Sequence, residues 1–193
     1  METQTEGIEY IGHHHKQACN VLKHYFGEKP LFGIEIGTKA GDLTQFLLRE
    51  MNIGILWTID PWEHRNKGRF EAGEPQEYHN RQEEDARKKL HNFHGVVEIV
   101  KKTSDEAYDL LRSVRDSKSM QHGFDFVWID GDHSEEQVRR DISNYWKLVR
   151  IGGVLGGHDY GLVGDVTGVV DEFMVGKKWD RGGDFTWWTT KKE

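Results

Sequence analysis

The stretch Leu31–Pro61, LFGIEIGTKAGDLTQFLLREMNIGILWTIDP, decides the architecture. Its opening run, LFGIEIG (31–37), is apolar, short and closed by glycine, which predicts a buried strand. Glycines at 37 and 41 permit a sharp turn and bring bare backbone N–H groups to a helix start. From Asp42, DLTQFLLREM places Leu43, Phe46, Leu47 and Met51 on one face at helical spacing. A second apolar run, ILWTIDP (55–61), ends in Asp60 and Pro61. Strand, helix and strand in this order are the unit of a parallel sheet.

The unit recurs down the chain. VVEIV (96–100), FDFVWID (124–130) and GGVLGGHD (152–159) read as further strands. Between the last two, SEEQVRRDISNYWKLV puts Val138, Ile142, Tyr145 and Val149 on one helical face, and Ser134 with Gln137 has the spacing of a capping box. Gly152 and Gly153 read as a turn before the fifth strand. The tail KKWDRGGDFTWWTTKK holds two β-prone runs joined at Gly182–Gly183, a closing hairpin. The expected fold is α/β, doubly wound, with a mostly parallel seven-stranded sheet and a C-terminal antiparallel hairpin. We read residues 1–193 as a single domain, with 1–30 an N-terminal helical segment. The polar, turn-rich stretch 61–80 is long for a connection in a compact domain and is expected to be a lid or substrate loop, with a disordered excursion as the alternative.

Composition narrows the partners. A chain of 193 residues suffices for one core. Its formal charge is −7, with 26 basic residues dispersed rather than clustered, so a nucleic-acid partner is not expected. The lone Cys19 has no partner for an internal disulfide, and METQTEGIEY lacks the basic and apolar regions of a leader, which points to the cytoplasm. No apolar run reaches the roughly 18–20 residues that cross a bilayer, so no membrane partner is expected. Self-pairing stays open, and a homodimer is allowed.

An open parallel sheet binds its ligand beyond the carboxyl ends of its strands. Those ends carry Glu35-Ile36-Gly37, Asp60-Pro61-Trp62, Thr103-Ser104, Asp130-Gly131-Asp132-His133 and His158-Asp159-Tyr160. A dinucleotide fingerprint starting at Gly37 would need glycine at 39 and 42, where Lys39 and Asp42 stand. An NAD-dependent oxidoreductase is therefore the weaker alternative, beside a non-catalytic nucleotide-binding module on the same fold. Asp60, 19 residues past Gly41, sits where an acid accepts hydrogen bonds from ribose hydroxyls.

The pattern acidic-x-Gly-x-x-x-Gly in EIGTKAG resembles motif I of the class I S-adenosylmethionine (SAM)-dependent methyltransferases, a Rossmann-like fold. FVWIDGDHSEEQVRRDISNYWKLVRIGGVLGGHDY resembles the fourth-to-fifth-strand segment of a bacterial branch, the macrocin-type and other sugar or small-molecule O-methyltransferases, marked by I-D-G-D-H. The likeness covers about residues 31–160. It implies SAM as cofactor, held by Glu35, Gly37, Thr38, Gly41, Asp60, Ser104 and Asp130, and a small acceptor with a sugar or phenolic hydroxyl. It further implies a divalent cation, Mg²⁺ or Mn²⁺, on Asp130, His158 and Asp159. His133 is then the expected base, with Asp130 as second catalytic group.

Several of these residues have plainer readings. Glu35 is as well placed to bond its neighbours as to hold an ammonium group. His13, His14 and His15 splay around a helix axis and cannot all face one ion. Trp187 and Trp188 suit packing, whereas Trp62 could cover cofactor or acceptor. Asp132 also reads as a helix N-terminal charge. RQEEDARKKL (81–90) reads as a solvated helix face.

Overall fold

The computed structural model describes residues 14–64, 73–117 and 122–192. Seven strands form one sheet: β1 (Leu31–Ile36), β2 (Ile53–Ile59), β3 (Val97–Val100), β4 (Phe124–Ile129), β5 (Val149–Gly157), β6 (Trp179–Arg181) and β7 (Trp187–Thr190). Their order is β3-β2-β1-β4-β5-β7-β6; the pairs from β3 to β5 are parallel, and β7 runs antiparallel to both β5 and β6. The expected α/β architecture, closing hairpin included, is the observed one.

Among the described residues six α-helices alternate with the strands: α1 (His14–Phe26), α2 (Asp42–Glu50), α3 (Gln76–Leu90), α4 (Ser104–Asp116), α5 (Glu135–Tyr145) and α6 (Gly164–Met174). They cover both faces of the sheet because strand side chains alternate. Phe126 and Trp128 of β4 pack with Ala18, Val21 and Leu22 of α1 and with Leu43 and Leu47 of α2. Val127 and Ile129, which alternate with them in sequence, pack on the other face with Leu111 of α4, Ile142 of α5 and Val170 of α6. All of β4 is buried, as expected for the centre of a doubly wound sheet. A Cβ on Gly33 of β1 would meet the Phe126 ring at 2.2 Å, so the large ring of β4 occupies the place left by its neighbour.

Three local expectations are corrected. Helix α5 stops at Tyr145, and Val149, expected on its apolar face, opens β5 opposite Phe124. The intervening Trp146–Leu148 form a hydrogen-bonded turn, with Leu148 N donating to Tyr145 O. Gly152 and Gly153 then lie inside β5 as a bulge, where Gly152 has φ 75° and the register with β4 shifts. Finally, Ser134 caps α5 without a side-chain bond, whereas the capping box of this chain is at α4, between Thr103 and Glu106.

The segment read as a loop over 61–80 yields to α3 at Gln76, and its residues 65–72 lie outside the described residues. The expected helical segment over 1–30 corresponds to α1, with residues 1–13, including His13, outside the described residues. Strand order reverses between β1 and β4, so a crevice is expected where these two strands end.

Candidate active site

At the end of β1 the chain turns away sharply. Gly37 has φ 94° and a Cβ there would lie 1.9 Å from the Asp130 carbonyl oxygen, so only glycine lets the β1 and β4 ends meet. Gly41, φ 78°, abuts Ala86 of α3 and opens α2. Glu35 is buried, and its Oε2 accepts hydrogen bonds from the hydroxyls of Thr44 and, at 2.6 Å, of Thr58. Thr38 joins this group through its hydroxyl, 2.5 Å from that of Thr58. Burial, opposed by those two hydrogen bonds, pushes the Glu35 carboxyl up to about 7. Its other oxygen, Oε1, is buried without a hydrogen-bond partner beside the crevice. An orphaned acceptor of this kind fits a ligand ammonium, and the plainer reading of Glu35 accounts for only one of its oxygens.

The end of β2 braces the turn. Asp60 Oδ2 accepts from Lys39 N at 2.9 Å and Oδ1 from Trp62 N at 2.8 Å. Trp62 returns its indole Nε1–H to Lys39 O at 2.8 Å and is fully buried against the crevice. Each carboxylate oxygen can accept more than one hydrogen bond, so the ribose role expected of Asp60 is compatible with this brace. After β3, Ser104 opens α4, and its hydroxyl donates to Asp141 Oδ1 at 2.6 Å.

The ends of β4 and β5 bring the acids together. Asp130, His133 and Asp159 each offer a ligand atom, and these atoms lie within 4.8 Å of one another. His133 Nε2 is 2.9 Å from Asp159 Oδ2 and 3.8 Å from Asp130 Oδ1. Burial opposes a charge on His133, but the two carboxylates outweigh it and push its pKa up to about 10. Against its own burial, the Asp159 carboxyl is held well below the ordinary range by His133 and His158. His158 stands apart from this trio: Nε2 is 2.8 Å from Asp184 O and Nδ1 is 3.2 Å from Asp159 Oδ1. His158 thus engages the β6–β7 hairpin as well as Asp159, while His133 lies between Asp130 and Asp159. Asp132 Oδ1 accepts from Ser134 N at 2.8 Å, which shapes the entry to α5.

These groups line one cavity of about 450 Å³, walled by Glu35–Ala40, Asp60–Glu63, Ser104, Asp130–His133 and His158–Asp159. Every site residue expected from sequence except Gly41 lines it, and Gly41 builds the turn beneath. Lys39, Trp62 and Asp159 on its wall are non-glycine residues with positive φ of 49°, 46° and 65°. Backbone strain of this kind persists where the surroundings impose it and gathers at functional sites. Sequence reasoning missed Gln137, whose Nε2 bridges Ser104 Oγ and Asp141 Oδ1, and Asp141 itself. Asp141 is buried and pushed up to about 7, against the bonds from Ser104 and Gln137. The available signal was an acid lying within the Val138–Ile142–Tyr145 stripe of α5. His79 and Gln82 of α3 also reach the wall and carried no signal.

A sheet of this order, with a glycine turn off β1, an acid ending β2 and ligating groups ending β4 and β5, defines the class I methyltransferase type. The chain belongs to the methyltransferase-domain family, whose description it matches over residues 34–160. That membership implies S-adenosylmethionine as cofactor. The unpartnered Glu35 Oε1 and the cradle at Gly37 fit the cofactor's amino-acid end. An uncharacterized protein of Acanthamoeba polyphaga mimivirus is 30% identical over 153 residues, 77% of this chain and 60% of that protein's length. The fold is shared with a putative caffeoyl-CoA O-methyltransferase from Staphylococcus aureus: TM-score 0.65, 15% identity, covering 95% of this chain and 86% of that one. It is also shared with an rRNA methylase from Streptococcus thermophilus: TM-score 0.60, 12% identity, covering 91% and 95%. Fold alone does not choose the acceptor. Among the described residues, no helix is long and apolar enough to cross a membrane.

Proposed function

We propose that this chain moves the methyl group of SAM to a hydroxyl of a small molecule, a sugar or a phenol, and that a divalent cation assists. The observation that carries the reading is the Asp130–His133–Asp159 cluster on the wall of the cavity that the glycine turn opens. Two carboxylates and an imidazole suit Mn²⁺ or Mg²⁺, and His133 replaces the expected His158 as the third ligand in this reading. A cation so bound lowers the pKa of an acceptor hydroxyl.

The chain's own residues supply alignment. Glu35, Gly37, Thr38 and Gly41 seat the amino-acid end of SAM, Asp60 the ribose and Ser104 the adenine, which leaves the methyl group facing Asp130 and Asp159. In the displacement the S–CH₃ bond breaks as the O–CH₃ bond forms, sulfur keeps the electron pair and S-adenosylhomocysteine leaves. The hydroxyl proton passes to a carboxylate oxygen of Asp130 or, where the cluster holds no cation, to a neutral His133. His133 Nε2 faces both carboxylates, so holding the cation there would require it to give up the proton it shares with them. The net charge of −7 and the small cavity favour a small acceptor over RNA.

The test is methyl transfer from labelled SAM to a panel of catechols, simple phenols, methyl glycosides and an rRNA fragment, with Mn²⁺ and after exhaustive chelation. Transfer to a small hydroxyl compound that chelation abolishes is the expected result. Undiminished transfer after chelation would remove the cation from the mechanism, and transfer to RNA alone would overturn the acceptor.

A further inference from the structure

Asp141 is buried within the apolar stripe of α5, behind the cavity wall rather than on it. Its Oδ1 accepts two hydrogen bonds, from Ser104 Oγ at 2.6 Å and from Gln137 Nε2 at 2.9 Å, and both of those residues line the cavity. A carboxylate has no hydrogen to give, so the Ser104 hydroxyl is the donor of its pair. Asp141 Oδ2 is buried without a hydrogen-bond partner, and a proton taken up there would leave Oδ1 an acceptor still. The amide of Gln137 is fixed from its other end, where Oε1 accepts from Arg140 at 2.6 Å, a group with donors only. Its Nε2 therefore faces Ser104 Oγ as a donor, 3.0 Å away. Tyr145 OH donates to the Ser104 carbonyl at 2.7 Å and pins the start of α4. With its hydrogen on Asp141 and one lone pair on Gln137, Ser104 Oγ has one hydrogen-bonding capacity left, that of an acceptor.

Resting on the methyl-transfer reading, in which Ser104 meets the adenine, we propose that Asp141 is a positioning residue: it fixes Ser104 as an acceptor and so makes the site select a 6-aminopurine over a 6-oxopurine. The 6-amino group of adenine donates to the remaining lone pair of Ser104 Oγ. The keto oxygen of hypoxanthine would set lone pair against lone pair. Ser104 cannot turn its hydrogen towards that oxygen without taking a bond from the buried Asp141 carboxyl. Size does not discriminate here, because amino and keto groups fill nearly the same space.

The experiment compares the affinities of S-adenosylhomocysteine and S-inosylhomocysteine, which differ only along the 6-amino or 6-keto edge of the purine, beside melting temperatures. Wild type should bind the adenosyl compound roughly tenfold more tightly or better. Asp141→Leu frees the Ser104 hydrogen and should bring the two affinities to within about twofold, whereas Asp141→Asn keeps an accepting oxygen and should retain the wild-type ratio. Ser104→Ala should lose the ratio as well, and adding Asp141→Leu to it should change the ratio no further, because Asp141 acts through Ser104. A merely structural Asp141 would lower the melting temperature and both affinities together with the ratio intact. That result, a wild-type ratio near one, or an unchanged ratio in Ser104→Ala would each overturn the proposal while leaving methyl transfer standing. The last two outcomes decide the matter even if Asp141→Leu does not fold. Failure of wild type to bind S-adenosylhomocysteine would instead remove the methyl-transfer reading, and this selectivity with it.

Discussion

Glu35 carries two demands on one carboxyl. Burial raises it to about 7, while the ammonium it is proposed to meet requires its ionised form. S-adenosylhomocysteine affinity measured by calorimetry should therefore rise as pH increases through about 7. Glu35→Gln should bind about tenfold more weakly or worse and lose that dependence, since a hydrogen bond between charged groups is worth about 1.5–3 kcal/mol. The stability sign is opposite. The unfolded carboxyl ionises near 4.5 and the folded one near 7, so this group destabilises the free protein progressively over that window and constantly above it. Glu35→Gln should accordingly melt higher than wild type at pH 8. A variant that melts higher yet keeps wild-type affinity would separate the carboxyl from the cofactor. His133 works the other way: its pKa rises from 6.5 to about 10, so its contribution is fully present below 6.5 and lost as pH climbs through 10. Replacing Asp159 by Asn should flatten the fall in melting temperature across that window.

Single elements were legible where local signals agreed. LFGIEIG and FDFVWID announce β1 and β4 because an apolar run and a glycine or acid stop coincide, and the structure ends the strands within a residue of those stops. The end of α5 was not legible, since Val149 continues a helical period and only its pairing with Phe124 makes it strand. The capping-box spacing at Ser134–Gln137 misled for a related reason. Gln137 finds better partners in Ser104 and Asp141, which a one-dimensional pattern does not contain. Packing between β1 and β4 gives the test at this scale. Gly33→Ala should cost about 1–3 kcal/mol by overpacking, because the added carbon meets the Phe126 ring, and denaturant unfolding would read it as a lower midpoint at unchanged m-value. An unchanged midpoint would mean that the ring moves aside freely.

For the whole molecule, the strand order brings residues from five strand ends, 35 through 159, to one crevice. The expectation that strand ends hold the site needed only the parallel sheet, so most of the candidate site could be named before any coordinates. What sequence could not supply was which imidazole joins Asp130 and Asp159, because His133 and His158 both end strands. The β6–β7 hairpin decides the geometry by engaging His158 through Asp184. The loop bearing Phe185 was foreseen as a turn, but its grip on both sides of Asp159 belongs to the folded molecule alone.

The most direct measurement is a calorimetric titration of the purified chain with S-adenosylhomocysteine, and separately with NAD, at pH 8. The account predicts one-site binding of S-adenosylhomocysteine with no heat from NAD. Binding of NAD, with none of S-adenosylhomocysteine, would contradict it.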